Sequence, residues 1–297
     1  MDAIAPAPET AASGDEAPLG AGEKLSAYGH ARRKRDRRRR LVRGAVGIAA
    51  VLLLWQAMAV AYNLQQILPP PLTVARTIFD TLTLNYQQRW LYGPNIYQHL
   101  AASLVRAVSG FAIASALAIP LGLLVGRLRA VREFVDPVIR SLYPIPGIAW
   151  IPLAILWFGL GNTTVIFVVV IAEFFPLYFN TETGARNINP TLVDAARCFG
   201  AKRFTLFRRV ILPASFPYVI TGMRIALGGA WRMIVAGEML ASDSGIGSVL
   251  MESRFQFRAN DLMMAMILIS VVGFATERLI IGTLEKKTTE RWEVKIF

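Results

Sequence analysis

Charged side chains inside apolar stretches are the residues of this chain that could do chemistry. Arg224, Arg232 and Glu238 fall within one long apolar run. Trp231 adjoins Arg232, and Glu173 falls within another run. A charge at the centre of a membrane helix costs about 2.5–3.5 kcal/mol on insertion scales and commonly marks function. Arg224 and Arg232 are eight residues apart, near one face of a helix. An arginine that lines the route would attract an anion, and we take all five residues as candidates for the translocation path.

The same residues also have structural interpretations. Arg232 could instead pair with Glu238 or Glu173, or lie at a contact between two copies of the chain. Glu238 is close in sequence to a Ser-Gly-Ile-Gly segment. It forms either part of an outer gate or a hydrogen bond between helices. The expected partner of Glu173 is an arginine. Arg106 lies near the boundary of an apolar run, from which a long side chain can reach the membrane interface.

The sequence shows no catalytic or metal-binding pattern. Cys198 is the only cysteine, which excludes an intrachain disulfide and a cysteine-cluster metal site. The two histidines, His30 and His99, are far apart in sequence. The phosphate-binding pattern Gly-x-x-x-x-Gly-Lys followed by Ser or Thr does not occur. We therefore expect no catalytic residue, metal or cofactor on this chain. If ATP drives its function, ATP and Mg²⁺ are bound by another chain.

A polar segment between two apolar runs predicts a helix-turn-helix. It extends from Asn189 to Pro213 and reads NPTLVDAARCFGAKRFTLFRRVILP. Asn189 is placed to cap a helix that begins at Pro190, where the missing N–H costs nothing. Gly200 suits a left-handed helix end. A second short helix is predicted to begin near Ala201 and to end before Pro213.

Three phenylalanines are concentrated near the bend of this segment. They are Phe199, Phe204 and Phe207, and arginines and a lysine surround them. Exposed apolar residues rimmed by basic residues indicate a contact with another protein. The alternative is that some of these rings pack back onto the membrane domain.

Long apolar runs predict an all-α integral membrane protein with about six transmembrane helices. A bilayer core about 30 Å thick needs about 20 apolar residues in a helix. The stretch 141–172 contains no charge at all. The run 141–158 carries three prolines. Membrane helices tolerate prolines where neighbouring helices or water satisfy the freed carbonyl groups. A short amphipathic surface helix is predicted over residues 72–92. The predicted spans are approximately 41–62, 99–126, 141–158, 163–181, 214–240 and 261–284.

Basic residues are distributed unequally between the two sides of this arrangement. With the N-terminus inside, the inner segments hold 24 Lys and Arg residues and the outer segments hold four. This bias predicts that both termini are cytoplasmic. Ten of the basic residues precede or begin the first span, as expected beside an anionic leaflet. Membrane lipid rather than nucleic acid is therefore the expected partner of this cluster.

One motif in the polar segment resembles the EAA loop of ABC importer permeases. That loop reads Glu-Ala-Ala, three residues, Gly, nine residues, Ile, one residue, Leu-Pro. The spacing matches throughout, with Asp in place of Glu and Val in place of Ile. In the family this loop supplies the coupling helix that inserts into a groove on the ATP-hydrolysing subunit. The resemblance implies that role for Asp194, Ala195, Ala196, Phe199, Gly200, Phe204, Leu212 and Pro213.

The resemblance extends over about residues 65–285, where several segments are similar to the nitrate/sulfonate/taurine/bicarbonate branch. It implies a type I importer transmembrane domain in a bacterial inner membrane, for a small anion such as nitrate, a sulfonate, bicarbonate or a carboxylate. The implied partners are an ATP-binding cassette subunit that binds ATP and Mg²⁺, a periplasmic or lipid-anchored substrate-binding protein, and a second copy of the chain. A paralogous permease as the second copy and an ion-gradient-driven secondary transporter are the alternatives.

The sequence therefore divides into three parts. Residues 1–40 are expected to be a disordered basic tail, because the first 30 residues contain few large apolar groups. Residues 41–284 form the transmembrane permease domain, with the coupling loop at 189–213. Residues 285–297 form a cytoplasmic C-terminal tail.

Overall fold

The computed structural model describes residues 20–61, 67–83 and 95–292, and within these ranges every regular element is helical. The chain separates into two compact units, one ending at Asn63 and the other beginning at Leu64. Each unit is described by itself.

The first unit contains a single helix, α1, over Gly20–Ala61. Its segment Val42–Ala61 is long and apolar enough to cross a membrane, which agrees with the first predicted span. The structure differs from the sequence expectation over residues 20–40, which are helical rather than disordered. This segment is rich in Ala, Arg and Lys, which favour helices, and it extends a helix that is already nucleated. Residues 1–19 of the predicted tail lie outside the described residues.

The second unit contains ten α-helices in its described part, together with a short 3-10 helix, Gly147–Trp150, and a π-helical turn, Phe207–Ile211. Four of them contain a segment long and apolar enough to span a membrane, as predicted: α3, α6, α9 and α11. A helix, α2, is present where the amphipathic surface helix was predicted, and residues 84–92 of that prediction lie outside the described ranges. The helices are α2 (Pro71–Thr83), α3 (Ile96–Arg127), α4 (Arg129–Leu142), α5 (Ile151–Phe158), α6 (Asn162–Arg186), α7 (Pro190–Cys198), α8 (Arg203–Leu206), α9 (Leu212–Ala241), α10 (Ile246–Phe255) and α11 (Ala259–Trp292).

The third predicted span is not one straight helix. It consists of α4 followed by a helical segment Gly147–Phe158, and the two are bent by 89°. The prediction of a single span over 141–158 is therefore wrong in its bounds and its shape. Pro144 and Pro146 lie in the break. The helix is interrupted there because neither proline can donate the backbone hydrogen bond that a continuing helix requires. Pro152 lies in the first turn of α5, where a proline is tolerated.

Three long helices, α3, α6 and α9, pack closely and form the centre of the second unit. Small residues allow this approach, as is common between membrane helices. A Cβ atom on Gly122 of α3 would lie 2.9 Å from the Tyr178 carbonyl oxygen of α6, and one on Gly126 would lie 2.8 Å from the Glu182 carbonyl oxygen. A buried cluster fills the space between the helices and includes Phe111, Leu177, Tyr178, Ile220 and Leu227.

Candidate functional site

The predicted helix-turn-helix begins and turns as the sequence indicates. The Asn189 side chain accepts a hydrogen bond from the Thr191 N–H at 3.0 Å, at the start of α7. Gly200 has a φ of +77°, and its N–H donates to the Arg197 carbonyl oxygen at 2.9 Å. This left-handed conformation favours glycine, so the turn follows directly from the residue at position 200.

The loop around α7 and α8 presents aromatic side chains to the surroundings while its base is packed. Phe199 is 91% exposed and Phe204 is 73% exposed. The alternative in which these two rings pack onto the membrane domain is therefore wrong, and only Phe207 packs against the base of the loop. The buried residues of that base are Ile188, Val193, Leu206 and Ile211.

Three further residues of the EAA-like motif lie on the same loop, whereas Leu212 and Pro213 begin α9. Asp194 and Ala195 are exposed and Ala196 is half-buried. The Asp194 carboxylate lies 3.6 Å from the Arg197 guanidinium, and both side chains are exposed. A pair of this kind contributes little to stability, so it is free to exchange for a contact with another protein.

The second part of the loop does not end before Pro213, contrary to the sequence prediction. After α8 the chain forms a π-helical turn, Phe207–Ile211, and continues directly into α9. The Leu212 N–H donates to the Phe207 carbonyl oxygen, five residues earlier. The wider turn accommodates Pro213, which lacks an N–H and would clash with a carbonyl group of a regular helix. One helical segment of 39 residues, Arg203–Ala241, therefore extends over about 58 Å, from the second half of the loop to the end of α9.

At the far end of that segment, a buried arginine uses all five of its N–H donors. Arg106 is 3% exposed. Its Nε donates to Asn162 Oδ1 at 2.7 Å. One terminal nitrogen donates at 2.7 Å both to Glu238 Oε1 and to the Ser244 carbonyl oxygen. The other donates to the Ser242 and Ser244 hydroxyl oxygens at 3.0 and 2.7 Å. The expectation that Arg106 reaches the membrane interface is wrong, because its partners lie inside the protein.

Glu238 organises the chain that follows α9. Its carboxylate accepts hydrogen bonds from the Ser103 hydroxyl at 2.8 Å and from the Gly247 N–H at 2.9 Å. Gly245 has a φ of +107°, and a Cβ atom there would lie 2.2 Å from the carboxylate. The Gly245 N–H donates to Nδ1 of His99, which lies on α3, at 2.9 Å. The predicted hydrogen bond between helices is confirmed, and the Ser-Gly-Ile-Gly segment is folded around this carboxylate.

These contacts join α3, the first residue of α6, the end of α9 and the start of α10. We refer to them as the Arg106 network, which comprises His99, Ser103, Arg106, Asn162, Glu238, Ser242, Ser244, Gly245 and Gly247. Of these residues, only Glu238 was predicted from the sequence as part of a functional site. The available signal was that Arg106 and Glu238 have opposite charges and both lie toward the same predicted side of the membrane, on spans that run in opposite directions.

Arg232 does not pair with Glu238 or Glu173. It is exposed and has no ion-pair or hydrogen-bond partner within the described ranges. Together with the buried Trp231, it lines an open cavity of about 720 Å³ between α9, α10 and α11. The other walls are mostly apolar and include Met239, Leu250, Leu262, Met266, Ile269 and Phe274.

The other two candidates of the predicted path lie elsewhere. Arg224 borders a second cavity of about 640 Å³, together with Glu277 and Arg278 of α11. Glu173 is completely buried in α6, and neither carboxylate oxygen has a hydrogen-bond partner among the residues that the structure describes. The expected arginine partner of Glu173 is therefore not found. The structure brings only Trp231 and Arg232 together at one cavity.

The contribution of the Arg106 network to the free energy of unfolding can be measured by mutation. We expect Arg106→Ala to lower the free energy of unfolding by about 3–5 kcal/mol, because it leaves a buried carboxylate without its ion-pair partner. Arg129→Ala, which removes an exposed pair with Glu133, is the matched control and should cost at most about 0.5 kcal/mol. Equilibrium unfolding of both variants in the same detergent measures the difference. Equal losses in the two variants would contradict the assigned role.

Comparison with known proteins identifies the family of this chain. The family model described as binding-protein-dependent transport system inner membrane component matches residues 118–289, which is more than half of the chain. A putative ABC transporter permease protein of Methanocaldococcus jannaschii is 36% identical over 231 residues, covering 77% of this chain and 85% of that protein. The taurine transport system permease protein of Escherichia coli is 34% identical over 236 residues, covering 78% and 84%.

Two further comparisons concern a nitrate permease and a solved structure. The nitrate import permease protein of Synechocystis is 29% identical over 241 residues, covering 81% of this chain and 87% of that protein. The solved inward-facing structure of the MetNI methionine ABC transporter has a similar fold, with a TM-score of 0.53 and 20% identity. It covers 65% of this chain and 94% of the compared chain. The sequence relatives and the family model together show that this chain belongs to the family of binding-protein-dependent transport system inner membrane components.

Proposed function

We propose that this chain is the permease subunit of an ATP-driven importer for a small anion, and that it works as a homodimer in a bacterial inner membrane. The observation that carries the proposal is the exposed aromatic loop around α7 and α8, which is joined without interruption to a membrane-spanning helix. We infer that both termini are cytoplasmic, so the loop is cytoplasmic and the Arg106 network lies toward the outer side.

The exposed loop around α7 and α8, residues 189–213, is suited to dock an ATP-hydrolysing subunit. We refer to it as the docking loop. Phe199 and Phe204 are large apolar groups that are exposed above a packed base, next to the turn at Gly200. Large aromatic side chains are among the residues that contribute most to contacts between proteins. ATP and Mg²⁺ would be bound by the partner subunit, which performs the hydrolysis.

Motion of the loop would be transmitted through α9. The segment Arg203–Ala241 connects the docking loop to Glu238 and Ser242 of the Arg106 network. Close packing along α3, α6 and α9 and the network at their outer ends hold these helices together. We therefore infer that they move as one body when the ATPase subunits approach each other, and that this rotation changes the side from which a central cavity is open.

Arg232 is our candidate for the anion-binding group. It is an exposed cation without a partner among the described residues, beside a mostly apolar cavity that Arg254 and Glu277 also line. The taurine and nitrate permeases among the relatives have names that indicate anionic or zwitterionic substrates, which supports a nitrate, sulfonate, bicarbonate or carboxylate substrate here. A periplasmic or lipid-anchored binding protein would deliver the anion to the outer side.

The docking loop can be tested by co-purification from mild detergent. We expect Phe204→Glu to reduce recovery of an ATPase subunit by at least about tenfold, because it places a charge at the centre of an apolar contact. Phe257→Glu is the matched control, since Phe257 is 90% exposed but follows α10 at the opposite end of α9. It should leave recovery unchanged. If the wild-type chain recovers no ATPase, the importer proposal fails and a secondary transporter becomes the better account.

The anion-binding role of Arg232 is tested by uptake. We expect Arg232→Gln to lower uptake of a transported anion by about tenfold or more, because the attraction at the cavity is lost. Arg232→Lys should retain a substantial part of the uptake. The thermal stability and the recovery of the ATPase subunit should not change, because Arg232 makes no ion pair with a described residue. Uptake at the wild-type rate by Arg232→Gln would remove Arg232 from the path.

A further inference from the structure

The basic cluster before the first span has no place in the transport mechanism described above. Nine of the twelve residues from Arg32 to Arg43 are Arg or Lys, and Asp36 is the only acidic residue among them. We refer to Arg32–Arg43 as the basic segment. In the structure it is part of α1 and is continuous with the apolar stretch Val42–Ala61.

The helical register distributes the nine basic positions around the whole helix axis. Successive residues of an α-helix are about 100° apart, so the four consecutive positions 37–40 alone cover most of a full turn. An amphipathic helix that lies flat on a membrane would instead collect its basic positions on one side. The basic segment is therefore a ring of positions around a helix that continues into the membrane.

This distribution creates repulsion within the helix. The basic segment contains nine like-charge pairs that are three or four residues apart, against four attractive pairs with Asp36. Like charges at these spacings destabilise a helix, and opposite charges stabilise it. Anions close to this segment would therefore relieve the repulsion and stabilise its helical form.

The membrane surface supplies anions at the required position. The residue farthest from the span, Arg32, is ten residues before Val42, which corresponds to about 15 Å along a helix. The headgroup layer and one screening length of about 8 Å at physiological salt cover this distance. A cluster of basic residues immediately beside a membrane helix is attracted to anionic lipid within this range.

We propose that the basic segment is a binding site for anionic phospholipid headgroups, which surround α1 where it leaves the hydrocarbon core. The phosphate groups of acidic lipids neutralise the nine basic residues and stabilise the helical form of this segment. The site is distinct from the docking loop and the anion cavity. It predicts a preference for acidic over zwitterionic lipid that does not depend on transport.

The test measures which lipid stays with the full-length chain. The protein is reconstituted in vesicles of phosphatidylcholine with a minority of phosphatidylglycerol, re-extracted in mild detergent, and its retained lipid is quantified by mass spectrometry. We expect about tenfold enrichment of phosphatidylglycerol at about 0.1 M NaCl, and its loss at about 1 M NaCl, where the screening length falls to about 3 Å. Inorganic phosphate added to phosphatidylcholine vesicles should not reproduce the helix stabilisation, measured by circular dichroism, that phosphatidylglycerol provides.

Two variants locate the site. Changing Arg37, Arg38, Arg39 and Arg40 together to Gln should reduce the enrichment to about twofold or less. The control changes the four basic residues of the C-terminal tail, Lys286, Lys287, Arg291 and Lys295, to Gln and should retain the enrichment. Equal enrichment in the two variants, or enrichment in the wild type that is insensitive to salt, would overturn the proposal.

Binding of nucleic acid instead of lipid would give a result that can be told apart. Tight binding of a fluorescent single-stranded RNA to the reconstituted chain, unaffected by the fraction of phosphatidylglycerol, would assign the basic segment to nucleic acid and overturn the lipid proposal. If the quadruple variant does not insert, the salt and lipid dependence of the wild type alone decides the question. None of these results depends on the ATPase subunit, so they are independent of the proposed transport function.

Discussion

The buried contact between Arg106 and Glu238 is the interaction on which the arrangement of the long helices depends. A guanidinium away from water is tolerated only when its charge is paired and its donors are used, and here five acceptors surround it. Those acceptors come from separate elements, so satisfying one side chain of α3 fixes α6, α9 and the segment that leads into α10. Gly245 and Gly247 follow from the same constraint, because only residues without a Cβ leave room for the Glu238 side chain.

At the other end of α9 the chain exposes side chains instead of burying them. The docking loop has a small buried base and exposes its aromatic residues, so its contacts are left for another protein. The π-helical turn at Phe207–Ile211 allows the loop to join α9 despite Pro213, without a break in the helix. A partner that moves the loop therefore acts on a long helix whose far end belongs to the Arg106 network. This connection is the physical basis that we propose for coupling ATP hydrolysis to access from the two sides.

Much of this could be predicted from the sequence, for identifiable reasons. The long spans follow from uncharged runs, and the turn at Gly200 follows from a cap residue and a glycine at the correct spacing. The bent third span was missed because a run of apolar residues gives no sign of where two prolines will redirect it. The partners of Arg106 were also missed, because four of its five acceptors are serine and asparagine groups that become distinctive only when distant segments meet. For Glu173 the sequence analysis predicted a partner that was not found. Its buried carboxyl group was expected to pair with an arginine, and the described residues provide none.

The most direct measurement is the distance along α9 in the assembled transporter with its ATPase subunits. Spin labels at Arg203→Cys and Leu240→Cys, in a Cys198→Ser background, are 37 residues apart and should give a pulsed-EPR distance of about 56 Å. Labelled chains diluted with unlabelled copies avoid signals between subunits. The account predicts one distance that is the same without nucleotide and with ATP trapped. A shift of more than about 5 Å would show that the helix bends at the π-helical turn, and would contradict transmission through a rigid α9.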